Sequence, residues 1–196
     1  DESTEKRIIA FTSQSLRQYG IRAVRMDDIA RNMNISKGYI SIYTTKDNLI
    51  NTCWWVYQSR IENTFHIIRY DPPDILEYLW AVSKAYIENL YKAACVFWLD
   101  VSRHLEYKYI YNLYNRIWSD ELEKTLLACL KERHIIPDLE VRTFVESFTA
   151  LLYNARVAEC LPAMLHSSAT FMLRGIMTES GIGLFDNILR KNQVIS

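Results

Sequence analysis

Ser36-Lys37-Gly38 puts three complementary functions side by side. A serine hydroxyl can cap the first turn of a helix. A lysine ammonium can meet a phosphate, and a glycine lets backbone amides come close to it. Tyr39, Ser41, Ile42 and Tyr43 follow on the same short segment, with Arg25 and Lys46 on either side. This is chemistry for holding a polyanion. Catalytic chemistry is harder to find. Asp27-Asp28 and the Glu121/Glu123 pair suit a helix dipole or a solvated face. No nucleophile elbow, phosphate loop, HExxH or GxGxxG pattern occurs, so no enzyme activity and no cofactor are expected. Cys53, Cys95, Cys129 and Cys160 are far apart, with no histidine at zinc-ligand spacing. They read as small apolar residues in a reducing cytosol, and no metal is expected.

The elements that must position Ser36-Lys37-Gly38 are helices. Ile8, Ile9, Phe11, Thr12, Leu16 and Tyr19 recur at helical spacing, and Gly20 sits where a helix ends. Met26 to Met33 reads as a short helix with Ile29, Ala30 and Met33 inward. Asn34-Ile35-Ser36 breaks it, and a second short helix runs from Lys37 to Tyr43. Thr45 can cap a long helix from Lys46 to about Tyr70, stopped by Asp71-Pro72-Pro73. Further helices are expected from Asp74 to about Lys92, Ala94 to His104, Tyr107 to Arg133, Asp138 to Cys160 and Pro162 to Ser180. Gly181 and Gly183 are expected to end the last of these, leaving a short tail. The expected class is all-α, with a three-helix unit followed by a six-helix bundle. Two short helices joined by a tight turn make a helix-turn-helix candidate.

Composition narrows the classes further. The chain has 196 residues, 49% of them hydrophobic, with only 5 Gly and 4 Pro. That is too apolar for disorder and too poor in turn residues for a β-sandwich or barrel. Lys plus Arg equals Asp plus Glu at 23 each, so the formal net charge is zero. That balance argues against a nucleic-acid partner, but it conceals an asymmetry. Residues 1–50 hold eight basic and six acidic residues, an excess of two positive charges. Phosphate contacts should therefore be few and local. No run of about 18 apolar residues exists, so no membrane span is expected. The first residues are polar and lack a signal-peptide core. The chain begins at Asp1 rather than Met, which reads as a trimmed start, and the expected compartment is the cytoplasm.

Residues 5 to 50 resemble the DNA-binding domain of the tetracycline-repressor (TetR) family of transcriptional regulators. The resemblance rests on Arg7-Ile8-Ile9, Leu16 and Tyr19-Gly20-Ile21, then Val24 to Ala30, then Ile35 to Tyr43, then Thr45-Lys46-Asp47-Asn48-Leu49. It covers about a quarter of the chain. Arg25 stands where the family usually has a capping Ser or Thr. Ser41 stands where it usually has an aromatic. The segment between Lys37 and Lys46 is one residue shorter than usual, which leaves open which of Tyr39, Ser41, Ile42 and Tyr43 face DNA.

The resemblance implies a helix-turn-helix domain over 1–45 and a ligand-binding and dimerisation domain over 46–196. It implies DNA contacts from Arg25, Ser36, Lys37, Gly38, Tyr39, Ser41, Ile42, Tyr43 and Lys46. It also implies a cavity for a small hydrophobic or aromatic ligand inside the bundle. Candidate lining residues are Trp80, Phe97, Trp98, His104, Tyr111, Tyr114, Trp118, Phe148 and Tyr153. The last two long helices carry wide apolar stripes that read as a dimer interface or as intrachain packing. Its candidates are Phe144, Phe148, Leu151, Leu152, Leu165, Ser168, Phe171, Met172 and Gly175. The function implied is a homodimeric repressor released from a palindromic double-stranded operator by a small molecule. Two alternatives stand beside it. One is a DNA-binding activator without a ligand. The other is a helical interaction protein with a vestigial helix-turn-helix.

Overall fold

The computed structural model describes residues 2–69 and 74–193. They form ten α-helices, and among the described residues there is no strand, as the all-α expectation requires. The helices are α1 (Glu2–Tyr19), α2 (Met26–Met33), α3 (Lys37–Tyr43), α4 (Lys46–Arg69) and α5 (Ile75–Leu90). Then follow α6 (Cys95–Arg103), α7 (Lys108–Lys131), α8 (Val141–Val157), α9 (Pro162–Gly175) and α10 (Glu179–Gln193). The chain divides into two compact units. The first comprises Asp1–Asn63 and Lys92–Leu113, and the second Thr64–Tyr91 and Tyr114–Ser196. The first thus holds α4 up to Asn63, α6 and the start of α7 besides α1, α2 and α3.

In the first unit, α1 ends where its sequence says it should. Gly20 has φ +85°, and its N–H donates to the Leu16 carbonyl at 2.9 Å. A side chain there would be strained twice over. The backbone is left-handed, and a Cβ would lie 2.6 Å from Asp100 Oδ2. The Asp100 carboxylate is buried and accepts the Arg22 N–H, so the end of α1 is fastened to α6. The Ala94 N–H donates to the Arg17 carbonyl at 2.8 Å and fastens the same two helices again.

In the second unit, Asp74 caps α5, its carboxylate accepting the Leu76 N–H at 2.8 Å. α5 is buried along most of its length and packs on α8, α9 and α10. The Asp71-Pro72-Pro73 stop lies outside the described residues; α4 is described up to Arg69. Two expectations are corrected. α9 ends at Gly175 rather than near Ser180, and the expected tail is a tenth helix. The reason is a backbone clasp. Ile136 N–H donates to the Ile176 carbonyl and Thr178 N–H to the His134 carbonyl, both at 3.0 Å. Extended pairing at Ile135 and Met177 is incompatible with continuing α9. Gly181 then serves as a contact residue within α10. A Cβ on it would lie 2.2 Å from the His134 carbonyl oxygen.

Candidate nucleic-acid interface and ligand sites

The turn between α2 and α3 is built from backbone geometry. Asn34 takes the left-handed conformation at φ 57°, and the Ile35 N–H returns to the Ala30 carbonyl at 3.1 Å. Ser36 then caps α3, its hydroxyl accepting the Tyr39 N–H at 3.1 Å. Thr45 caps α4 in the same way, accepting the Asn48 N–H at 3.2 Å. Arg25 stands at the cap position of α2 without a capping bond, so its guanidinium stays exposed. Ile29, Ala30 and Ile40 are buried where α2 packs on α3, while Met33 is only half-buried.

The face of α3 opposite Ile40 is open. Ser36, Lys37, Gly38, Tyr39 and Ser41 are exposed, and Ile42 is 80% exposed. A Cβ at Gly38 would meet nothing closer than 4.0 Å. Lys46 is half-buried, and the side chain of Tyr43 lies outside the described residues. The structure thus brings Ser36, Lys37, Gly38, Tyr39, Ser41 and Ile42 onto one short helix. One feature escapes the sequence reading. The Lys37 ammonium lies 2.9 Å from Asp27 Oδ1. A ten-residue separation across a turn gives no periodic signal for such a pair.

The nine expected ligand residues are divided between the units. Phe97, Trp98, His104 and Tyr111 belong to the first, and Trp80, Tyr114, Trp118, Phe148 and Tyr153 to the second. His104 is half-buried, with Nε2 3.7 Å from Asp100 Oδ1. Tyr111 is half-buried too, and burial raises its phenol pKa. In the second unit Trp118 is fully buried against Phe65 and Tyr86, at ring separations of 5.0 and 5.3 Å. Trp80 meets Phe185 edge-on at 5.7 Å. The indole N–H groups of Trp80 and Trp118 are buried and find no acceptor among the described residues. Such orphaned donors cost free energy unless something else meets them. In the first unit a cleft opens between α1, α4 and the beginnings of α6 and α7. Of the nine candidates only Phe97 lines it.

The expected interface residues also separate. Phe148, Leu152 and Leu165 are buried in the chain's own core. Phe144, Ser168 and Met172 are half-buried. Leu151 and Gly175 are exposed, and Phe171 is 74% exposed. Leu161, 68% exposed, and Met164 extend the apolar surface of α9, which packs on α8. Among the described residues no cluster of His, Cys, Asp and Glu could hold a metal ion. No described helix is long and apolar enough to cross a membrane.

No protein-family model matches the chain, and no curated protein matches it. Solved structures do. A gamma-butyrolactone receptor superposes with a TM-score of 0.75 at 13% identity, covering 100% of this chain and 98% of its own. A TetR-family regulator from Agrobacterium tumefaciens gives 0.74 at 17% identity, covering 90% and 99%. A TetR regulator from Haloarcula marismortui gives 0.74 at 14% identity, covering 91% and 100%. At these identities the likeness is one of architecture: the chain has the fold of the TetR-type transcriptional regulators.

Proposed function

We propose that the chain is a homodimeric, ligand-responsive DNA-binding regulator, a repressor that leaves a palindromic operator when a small molecule binds. The observation that carries this is α3: capped at Ser36, anchored by Ile40 and open on its outer face. A recognition helix needs that combination to enter a major groove. Lys37, Tyr39, Ser41 and Ile42 supply the contacts there, with Arg25 and Lys46 on flanking phosphates. Polarisation titration of the DNA flanking its gene against a scrambled duplex tests this. The expected result is a clear preference for one palindrome; equal affinity for both duplexes would overturn it.

The salt dependence of that binding should be shallow. Lys37 is already neutralised by Asp27, which leaves Arg25 and Lys46 as the remaining cations among the expected DNA contacts. Two protomers then neutralise about four phosphates, for a slope of log K on log salt of roughly −4. A slope steeper than about −6 would place the binding surface elsewhere.

The dimer contact falls on the exposed apolar side of α8 and α9. Contiguous exposed apolar surface of this kind marks an interface, and a two-fold pair lets two α3 helices read two half-sites. Phe171→Glu should weaken dimerisation by at least about a hundredfold, because a central aromatic anchor is lost and a charge is buried. Sedimentation velocity reads the outcome. Because Phe171 is so exposed, the monomer should keep its helicity; an unchanged dimer would remove this face from consideration. Ligand response is supported by the unpartnered indoles of Trp80 and Trp118, two expected bundle residues that an acceptor-bearing ligand would satisfy. One structural neighbour is itself named a gamma-butyrolactone receptor. The signal would pass along α4 and α7, the two helices whose residues belong to both units. Ligand binding and operator binding would then be linked by one coupling free energy.

A further inference from the structure

The outer face of α3 carries little that can pair with a base edge through hydrogen bonds. Between Lys37 and Tyr43 there is no Arg, Asn, Gln, Asp or Glu. Those side chains pair two-pronged with guanine or adenine, or accept from cytosine. Lys37, the one cation of the helix, is held on Asp27 at 2.9 Å. A serine hydroxyl such as that of Ser41 bonds to bases without choosing between them. The helical period sets Gly38 and Ile42 one turn apart on the face opposite the buried Ile40. Lys37 and Ser41 then fall on one flank and Tyr39 on the other. The fold explains neither residue on the central line. Ile42 is 80% exposed, and its β-branch favours helix less than alanine would. A Cβ at Gly38 would have open space, so no packing neighbour requires glycine there. A single exposed apolar side chain is ordinary on a protein surface. Ile42 is set apart by its place. Helical side chains lean toward the N-terminus, so it stands over the bare turn at Gly38.

We propose that Ile42 reads the operator by packing on the 5-methyl group of a thymine in each half-site. That methyl is the apolar feature of the major groove, and it marks one strand of an A·T pair. Gly38 removes the side chain that would hold the helix away from the groove floor, so Ile42 reaches the base edges. Lys37, Ser41 and Tyr39 on the flanks meet phosphate or sugar and fix the register. The assignment rests on the regulator reading of α3 and names the base feature that α3 selects. The choice at this position is made by a methyl group rather than by a hydrogen bond. An apolar contact neutralises no phosphate, so it adds nothing to the salt slope.

The test uses the full chain and the palindrome selected from the DNA flanking its gene. Each symmetric pair of thymines is replaced in turn by deoxyuridine, which keeps every hydrogen-bonding atom and lacks only the methyl. At one pair of positions the unmodified chain should bind about fifteenfold more weakly, or roughly fourfold for each buried methyl. Ile42→Ala should weaken binding to the unmodified palindrome at least about as much. Deoxyuridine at the sensitive pair should then cost that variant nothing further, because the two losses are one contact. The variant's slope of log K on log salt should equal that of the unmodified chain. Alanine is the better helix former, and Ile42 is so exposed that α3 should stay intact. If no deoxyuridine pair weakens binding, or if the penalty persists in Ile42→Ala, the methyl contact is overturned and a sequence-specific regulator remains. A chain that prefers no palindrome would overturn the regulator reading, and the contact with it.

Discussion

Replacing Lys37 and Tyr39 together by alanine is expected to reduce operator affinity at least about a hundredfold while leaving the fold intact. Both side chains are exposed on α3, whereas Ile40, which anchors the helix, is buried. The Ser36 cap survives, because it accepts from the residue 39 backbone rather than its side chain. A hydrogen bond to a charged group contributes about 1.5–3 kcal/mol, and a dimer loses it twice. Lys37 carries an extra term. Its ammonium sits on Asp27 at the start of α2, so Lys37→Ala exposes a carboxylate beside the phosphates. Adding Asp27→Asn to Lys37→Ala should therefore recover part of the affinity. Polarisation titrations of the three variants at one salt concentration decide the matter. Unchanged operator affinity in the Lys37/Tyr39 variant would favour the vestigial reading of the helix-turn-helix.

The largest stability effect is expected from the smallest side chain that can be added. Gly181→Ala places a Cβ 2.2 Å from the His134 carbonyl oxygen. That oxygen belongs to backbone which also accepts the Thr178 N–H, so it cannot rotate aside. Overpacking against a fixed group costs about 1–3 kcal/mol, and the upper end applies here. For a chain of this size that is a fall of roughly 6–12 °C in melting temperature. Gly183→Ala, two residues along the same helix, provides the contrast. A Cβ there meets nothing within 4 Å, and alanine favours helix by about 1 kcal/mol. It should leave the melting temperature unchanged or raise it. Equal melting curves for the two variants would mean the clasp does not hold α10 as described.

These two glycines also show what the sequence could reveal. Caps are local, so Ser36, Thr45 and Asp74 could be read directly, and each holds its helix N-terminus. Gly20 could be read as a terminator because the Leu16 periodicity stops there. Gly181 and Gly183 carry the same letter, yet they lie inside α10. Gly181 meets a carbonyl contributed by a segment more than forty residues away, and no local pattern records that. The same limit governs the ligand residues. Trp80, Trp98, Tyr114 and Trp118 stand out by residue type alone, and all four are buried, but residue type does not say which of them share a unit. Lys37 is legible as a phosphate-binding candidate, but its pairing with Asp27 depends on the angle of the turn between α2 and α3.

The backbone clasp at residues 134–136 and 176–178 has a further consequence. It closes α8 and α9 into a loop whose two ends are fastened to each other before any partner arrives. Closing such a loop costs the isolated chain entropy once, at folding, and that cost grows only slowly with loop length. A surface already held in this way has little freedom left to surrender on association. Ordering of the partners is one of the main terms that set affinity below what buried area alone would give. The clasp, just past the end of the helix that carries Phe171, would thus govern how tightly two copies pair: loosen it, and the same apolar face would bind more weakly.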